Sequence, residues 1–191
     1  DDVFTQGVEP APSTPSNVPF QFEMAMGDIA KGFAAADLVI ERTYSVPMCH
    51  QAYIEPHACV AKTDENGKVE IWCCTQGAFM VRTQTAAVTG IDVSKIKVTA
   101  SEIGGGFGGK TTVYIEPVAT VLARKSGRPV KIVMSREDVF RATGPVPGAE
   151  TRVKMGATKD GKITAIEIDM LMDTGAFSTH QVLAAVLFGS A

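Results

Sequence analysis

Cysteine and histidine are scarce in this 191-residue chain, at four and three, and their spacing excludes more than their number does. Cys49, Cys59, Cys73 and Cys74 form no CxxC pair, and the vicinal Cys73–Cys74 cannot bridge without severe strain. A disulfide scaffold is therefore excluded, and a reduced, cytoplasmic chain is expected. The same cysteines lack the ferredoxin spacings, so no iron–sulfur cluster can be held here. His50, His57 and His180 lack the spacing of a zinc site, and Cys49 and Cys59 could complete one only from a strand-like stretch. A basic excess is also missing. Lys plus Arg is 18 against 21 for Asp plus Glu, a formal charge of −3, which argues against a nucleic-acid or anionic-membrane binder. The best apolar run, Val182–Phe188, falls far short of the roughly 18 residues that span a bilayer. No basic segment followed by an apolar one marks a secretory signal.

What is present suits a packed domain: 45% of residues are apolar and 20% charged. The chain opens on Asp1 and stops within the apolar 182–191 segment, which reads as a piece of something larger, carrying part of a site. Pro10, Pro12, Pro15 and Pro19 punctuate a polar stretch, so residues 1–27 are expected to form a linker or surface segment and 28–191 one incomplete domain. Asp28 is placed to cap a helix over Ile29–Ala36, with Ile29, Phe33 and Ala36 on one face. Val39–Val46 alternates as a strand does. Ala58–Lys62 and Val69–Cys74 flank Glu65-Asn66-Gly67, a hairpin signal. Gly77–Thr89 reads as a helix carrying Ala78, Phe79, Ala86 and Val88, stopped by Gly90. Ile96–Ala100 reads as a strand, Glu116–Lys125 as a helix with Pro117 in its first turn and Gly127 beyond its end, and Val130–Met134 as a third, buried strand. Arg152–Ala157 and Ile163–Met170 flank Lys159-Asp160-Gly161-Lys162, a second hairpin. The order implies an α+β or mixed fold.

Chemistry is concentrated in Gly104-Gly105-Gly106-Phe107-Gly108-Gly109-Lys110. Such a run lets backbone approach a ligand closely and turns several N–H groups toward an anion or oxo group. With Thr111 it satisfies the P-loop pattern G-x-x-x-x-G-K-[ST] and follows a strand. A P-loop lysine opens a long helix, however, and Pro117 allows no helix interior so soon after Lys110. A nucleotide hydrolase is thus one alternative, and a non-catalytic scaffold domain is another.

The loop closely resembles the glycine-phenylalanine loop of the xanthine dehydrogenase, aldehyde oxidase and carbon monoxide dehydrogenase family of molybdenum hydroxylases, in the molybdopterin-binding large subunit. Thr75-Gln76 upstream resembles the family's Thr-Gln pair, and His50-Gln51-Ala52-Tyr53-Ile54-Glu55-Pro56-His57 the segment ahead of it. Gly32-Phe33 and Ala36-Asp37 resemble the helix that opens this region. Downstream, Gly127-Arg128-Pro129-Val130-Lys131, Ser135-Arg136-Glu137-Asp138, Lys159-Asp160-Gly161-Lys162-Ile163 and Asp173-Thr174-Gly175-Ala176-Phe177 continue the family order. The likeness runs over about 28–180 and implies the first part of the molybdenum-cofactor-binding domain.

The resemblance implies a molybdenum–pterin cofactor, as molybdopterin or its cytosine dinucleotide, held by hydrogen bonds and without a direct side-chain ligand to the metal. Gln76 matches the glutamine whose amide contacts a molybdenum-bound oxygen; read alone, it is a helix cap at a strand end. Gly105, Gly106, Phe107 and Gly108 match the loop beside the metal, with Phe107 in the substrate wall; read alone, Phe107 is a core residue. A bulky residue at Gly106 or Gly108 is expected to block the cofactor. Where purine- and aldehyde-oxidising relatives carry a glutamate after the loop lysine, this chain has Thr111, which argues against xanthine-type purine recognition. Gly144-Pro145-Val146-Pro147 replaces a more basic stretch, so substrate contacts there are not carried over. The family's general-base glutamate matches neither Glu55 nor Glu116, so no catalytic residue is assigned within the chain and the isolated chain is expected to be inactive. The implied reaction is oxidation of a small aldehyde, N-heteroaromatic or related substrate, with water as the oxygen source. The implied partners are the rest of the large subunit and chains or domains carrying 2Fe-2S clusters and FAD.

Overall fold

The computed structural model describes residues 17–18, 23–173 and 175. Most of the surface segment expected over 1–27 therefore lies outside the described residues, as do Val182–Phe188 and His180. The chain divides into two compact units, one formed by residues 48–146 and the other by residues 1–47 with 147–191.

In the 48–146 unit, β2 (Ala58–Thr63), β3 (Val69–Cys73), β4 (Ile96–Ala100) and β5 (Val130–Val133) form a sheet in the order β4-β3-β2-β5. The hairpin expected at Glu65-Asn66-Gly67 joins β2 to β3 in antiparallel register, Cys59 opposite Cys73 and Thr63 opposite Val69. Asp64 organises its turn, because Oδ1 accepts from the N–H groups of both Asn66 and Lys68. From β3 the chain passes through α2 (Ala78–Thr89) to β4, which lies parallel to β3, as a crossover through a helix requires. α3 (Glu116–Ser126) starts with Pro117 in its first turn and ends at Gly127, as expected. The core is built from Tyr53, Cys59, Ala61, Val69, Ile71, Cys73, Val81, Ile96, Ala119, Ala123 and Val139, among others.

Two details differ from the sequence reading, and the covered face of α2 goes beyond it. β5 is an edge strand whose residues alternate half-buried and exposed, so it is not a buried strand. The inner face of α2 carries Val81 and Thr85, while Phe79 and Val88 point to solvent. A fourth helix, α4 (Arg136–Ala142), follows β5; Ser135 and Asp138 form a reciprocal capping box at its start.

In the other unit, β1 (Leu38–Val46), β6 (Gly148–Ala157) and β7 (Ile163–Asp173) form an antiparallel sheet in the order β1-β6-β7. β6 and β7 are the second expected hairpin, and β1 pairs along β6 from Leu38–Ala157 to Val46–Ala149. The short α1 (Ile29–Ala34) is capped by Asp28, whose carboxylate accepts from Lys31 N–H at 2.9 Å. Phe33 lies where a Cβ at Gly156 would contact it at 3.2 Å, and Lys154 Nζ stands 4.7 Å from its ring centre. From the central strand β6, Arg152 gathers Glu41 of β1 and Glu167 and Asp169 of β7.

Candidate functional site

The glycine loop connects β4 to the segment before α3, and every side chain that fixes it belongs to the 48–146 unit. β3 ends at Cys73, and the chain then turns through Thr75 and Gln76 into α2. Thr75 Oγ1 donates to the Lys110 carbonyl at 3.0 Å and Gln76 N–H donates to the same oxygen at 2.9 Å. Gln76 is thereby laid along the loop. Its Oε1 accepts from Gly108 N–H at 3.1 Å and from Lys110 N–H at 3.2 Å. Two N–H donors converging on one atom make that atom the oxygen, so the amide NH2 is the end left to face outward. It has no acceptor among the described residues.

The loop backbone is shaped to match. Gly105, Phe107 and Gly108 have φ of +99°, +50° and +86°. For Phe107, which is not glycine, that conformation costs roughly 1–3 kcal/mol and must be imposed by the surroundings. The residue is 72% exposed, so Phe107 is not the core residue that its own chemistry suggests. Among the described residues the N–H groups of Gly105, Gly106 and Phe107 have no acceptor, whereas Gly104, Gly108, Gly109 and Lys110 all donate internally. Gln76 and Gly105 to Gly108, picked out from the sequence, are thus brought together, with Gln76 laid against the loop that carries the others.

Gly106 and Gly108 are needed for different reasons. A Cβ on Gly106 would fall 2.4 Å from Gln76 Oε1, so the side chain excluded there is one that would displace Gln76. A Cβ on Gly108 would meet nothing within 4 Å, and the constraint is its positive φ. The block expected of a bulky residue at Gly106 therefore acts first on the glutamine.

Beneath the loop, Lys110 is 1% exposed. Its Nζ donates to Glu55 Oε2 at 2.6 Å and to the Glu55 carbonyl at 3.0 Å, and it stands 4.8 Å from the centre of the Tyr53 ring. Glu55 Oε2 also accepts from Gly104 N–H at 2.8 Å. Burial by itself would raise the Glu55 carboxyl, but Lys110 and the Gly104 N–H together hold it below the usual carboxylate range. A lysine so enclosed cannot reach a phosphate, and α3 begins only at Glu116. The P-loop reading fails on both counts.

A buried polar chain supports the same segment. Ala52 N–H donates to His50 Nδ1, so the neutral His50 ring carries its proton on Nε2 and donates to Thr143 Oγ1 at 2.7 Å. Thr143 in turn donates to the Val139 carbonyl, and Tyr53 OH lies 2.6 Å from His57 Nε2. Burial, reinforced by the charge on Lys110, pushes His57 down to about 4. His57 therefore has a packing role, against Tyr53 and Tyr114. Burial also pushes the Cys59 and Cys73 thiols up to about 12. Among the described residues no group of three or more His, Cys, Asp or Glu side chains is arranged to hold a metal ion. Sequence reasoning left Glu55 out of the site; the one available signal was its place ahead of the Gln76 strand, in the segment that resembles the family.

These residues fit a cofactor that is held through its own acceptor atoms. An outward amide NH2 and three N–H groups without acceptors form a donor set that suits oxo, hydroxyl and pterin acceptors and provides no metal ligand. Comparison with known proteins gives the same answer. The family model described as the molybdopterin cofactor-binding domain matches residues 11–189. A probable hypoxanthine oxidase of Escherichia coli is 36% identical over 157 residues, covering 82% of this chain and 16% of that protein. The nicotinate dehydrogenase large molybdopterin subunit of Eubacterium barkeri is 32% identical over 154 residues, covering 81% of this chain and 36% of that subunit. Among solved structures, the aldehyde oxidoreductase of Desulfovibrio gigas matches with a TM-score of 0.69 and 30% identity, over 87% of this chain and 18% of that one. The chain thus spans between about a sixth and a third of the length of these relatives. Its mixed helix-and-sheet architecture is that of their cofactor-binding domain, and the chain belongs to the molybdopterin cofactor-binding domain family of the molybdenum hydroxylases.

Proposed function

We propose that this chain is the part of a molybdenum hydroxylase large subunit, within an incomplete cofactor-binding domain over 28–191, that presents hydrogen-bond donors to a molybdenum–pterin cofactor. The observation that carries this reading is the orientation of Gln76, whose oxygen is occupied by Gly108 and Lys110 N–H while its NH2 is left outward. When bound, the cofactor supplies two-electron oxidation of a small carbon substrate, with water as the oxygen source. The chain's own residues bind and orient. Gln76 Nε2 and the N–H groups of Gly105, Gly106 and Phe107 donate to acceptors on the cofactor. A neutral amide does so without adding charge to the site. Phe107, exposed on the loop, forms an apolar wall for a flat substrate.

Thr111 narrows the substrate class. Its hydroxyl donates to the Gly108 carbonyl at 2.9 Å, so the position tightens the loop and offers no carboxylate to a purine. The aldehyde oxidoreductase, nicotinate dehydrogenase and probable hypoxanthine oxidase likenesses support an aldehyde, an N-heteroaromatic or a related small carbon compound as substrate. The electrons leave through 2Fe-2S and FAD partners in this reading, since no cysteine set for a cluster is present in the chain.

The test is metal and pterin analysis of the complete enzyme with Gln76 and with Gln76→Ala. Stoichiometric molybdenum in the parent, falling at least fivefold in Gln76→Ala, is the expected result. A parent enzyme purified without molybdenum or pterin would support the scaffold alternative instead.

A further inference from the structure

We propose that Glu55, through its buried pair with Lys110, is a positioning residue that holds the glycine loop in its donor-presenting conformation. The inference rests on the functional reading above and adds a residue to it. One carboxylate oxygen, Glu55 Oε2, accepts both from Gly104 N–H, where the loop begins, and from Lys110 Nζ, where it ends. The Glu55 carbonyl takes a second bond from Lys110 Nζ. Glu55 therefore draws the two ends of the loop to a single point. On the other flank Gln76 Oε1 accepts from Gly108 and Lys110 N–H. Lys110 is common to both clamps: its side chain answers to Glu55 and its backbone to Gln76.

This arrangement explains why an ion pair is placed beneath a loop of glycines. A glycine run has the widest conformational freedom of any segment, and Phe107 within it is held at a positive φ that it would leave if released. Ordinary packing has few side chains to grip in such a run. A charge-assisted bond to a fully enclosed ammonium is short and strong, and it leaves a buried cation unpaired if it opens. Tyr53, itself buried, closes the other face of the ammonium. Opening the loop is thereby coupled to uncovering a charge, which keeps the loop in the conformation that leaves the N–H groups of Gly105 to Phe107 without internal acceptors before any cofactor arrives.

The experiment compares the complete enzyme with Glu55→Gln and with the double variant Glu55→Gln/Lys110→Met. Hydrogen exchange is followed at the amides of residues 104–110 and at those of β2 and β3, in metal-free protein. Glutamine retains an acceptor for Gly104 N–H but leaves the Lys110 charge unpaired; methionine removes that charge at similar volume. Exchange at 104–110 is expected to accelerate at least tenfold in Glu55→Gln, with β2 and β3 unchanged, and to return to within threefold of the parent in the double variant. In the molybdenum-loaded enzyme the Mo(V) resonance spectrum should broaden in Glu55→Gln and sharpen again in the double variant. Unchanged loop exchange in Glu55→Gln overturns the proposal. So does equal acceleration of the loop and of β2 and β3, which would make Glu55 a general stabiliser, and so does a double variant no better than the single. A parent enzyme without molybdenum would defeat the functional reading alone, since the metal-free exchange still tests the clamp.

Discussion

The four-stranded unit and the three-stranded sheet are both built from hydrogen-bonded ladders, yet the buried apolar side chains lie almost entirely in the first. Tyr53, Ile71, Val81, Ala119 and Val139 are enclosed there between sheet and helices. In the β1-β6-β7 sheet the strands are longer, but Ile40, Tyr44, Ile166, Ile168 and Met170 are all exposed, and Ala165 is the buried apolar residue among those described. Backbone pairing and side-chain burial are separate achievements. The first needs a partner strand, whereas the second needs a covering layer. The glycine loop belongs to the unit that has both, which is where a strained conformation can be held.

The comparison can be broken most decisively by truncating one isoleucine in each unit. Ile71→Ala should cost about 2–5 kcal/mol of local stability, read by hydrogen exchange of the β2 and β3 amides in the complete enzyme. Ile168→Ala, on an exposed sheet face, should cost no more than about 0.5 kcal/mol at β6 and β7. Equal costs would mean that another layer covers Ile168 in the complete protein.

A pH series sharpens the contrast from inside the core. His57 is 2% exposed, and burial first, then Lys110 and His50, lower its proton affinity to about 4, with Glu55 alone opposing them. The unfolded chain binds that proton near the ordinary 6.5, so the stabilisation is full above pH 6.5 and is lost as pH falls toward 4. Over that window the parent should lose roughly 3 kcal/mol more than His57→Gln, measured by thermal melting. Parallel curves would show that His57 titrates normally.

A smaller effect separates two glycines of the loop. Gly106→Ala puts a methyl 2.4 Å from Gln76 Oε1 and should cost about 1–3 kcal/mol of loop stability, with a fall in molybdenum content. Gly108→Ala meets no atom within 4 Å and should cost about 1 kcal/mol, from its backbone angle alone. Identical molybdenum content in the two variants would remove Gln76 from the explanation.

Much of this was legible in the residues because the signals were local. Asn66-Gly67 between alternating runs, Pro117 inside a helix start, Gly127 beyond its end and the β-branched Ile96–Ala100 each act over a few neighbours, and each element formed where expected. α4 was missed although Ser135 and Asp138 carry its capping box, because a seven-residue helix shows too little periodicity to read. The inner face of α2 was left unassigned for a related reason. Phe79 and Val88 are apolar, but which stripe of an apolar helix is covered depends on what lies across from it.

The sequence by itself determined the described elements other than α4, the two hairpins, and the Gln76 and glycine-loop pair that marks the family. The tertiary structure alone decided that Lys110 is a buried partner of Glu55 and cannot serve as a phosphate-binding lysine, and that Gln76 turns its oxygen inward and its amide outward. It also decided that β1 pairs with β6, far along the chain. The physical reason is range. Turns, caps and helix starts are set by neighbours in the chain, whereas the protonation, orientation and exposure of a side chain depend on groups that folding brings from dozens of residues away.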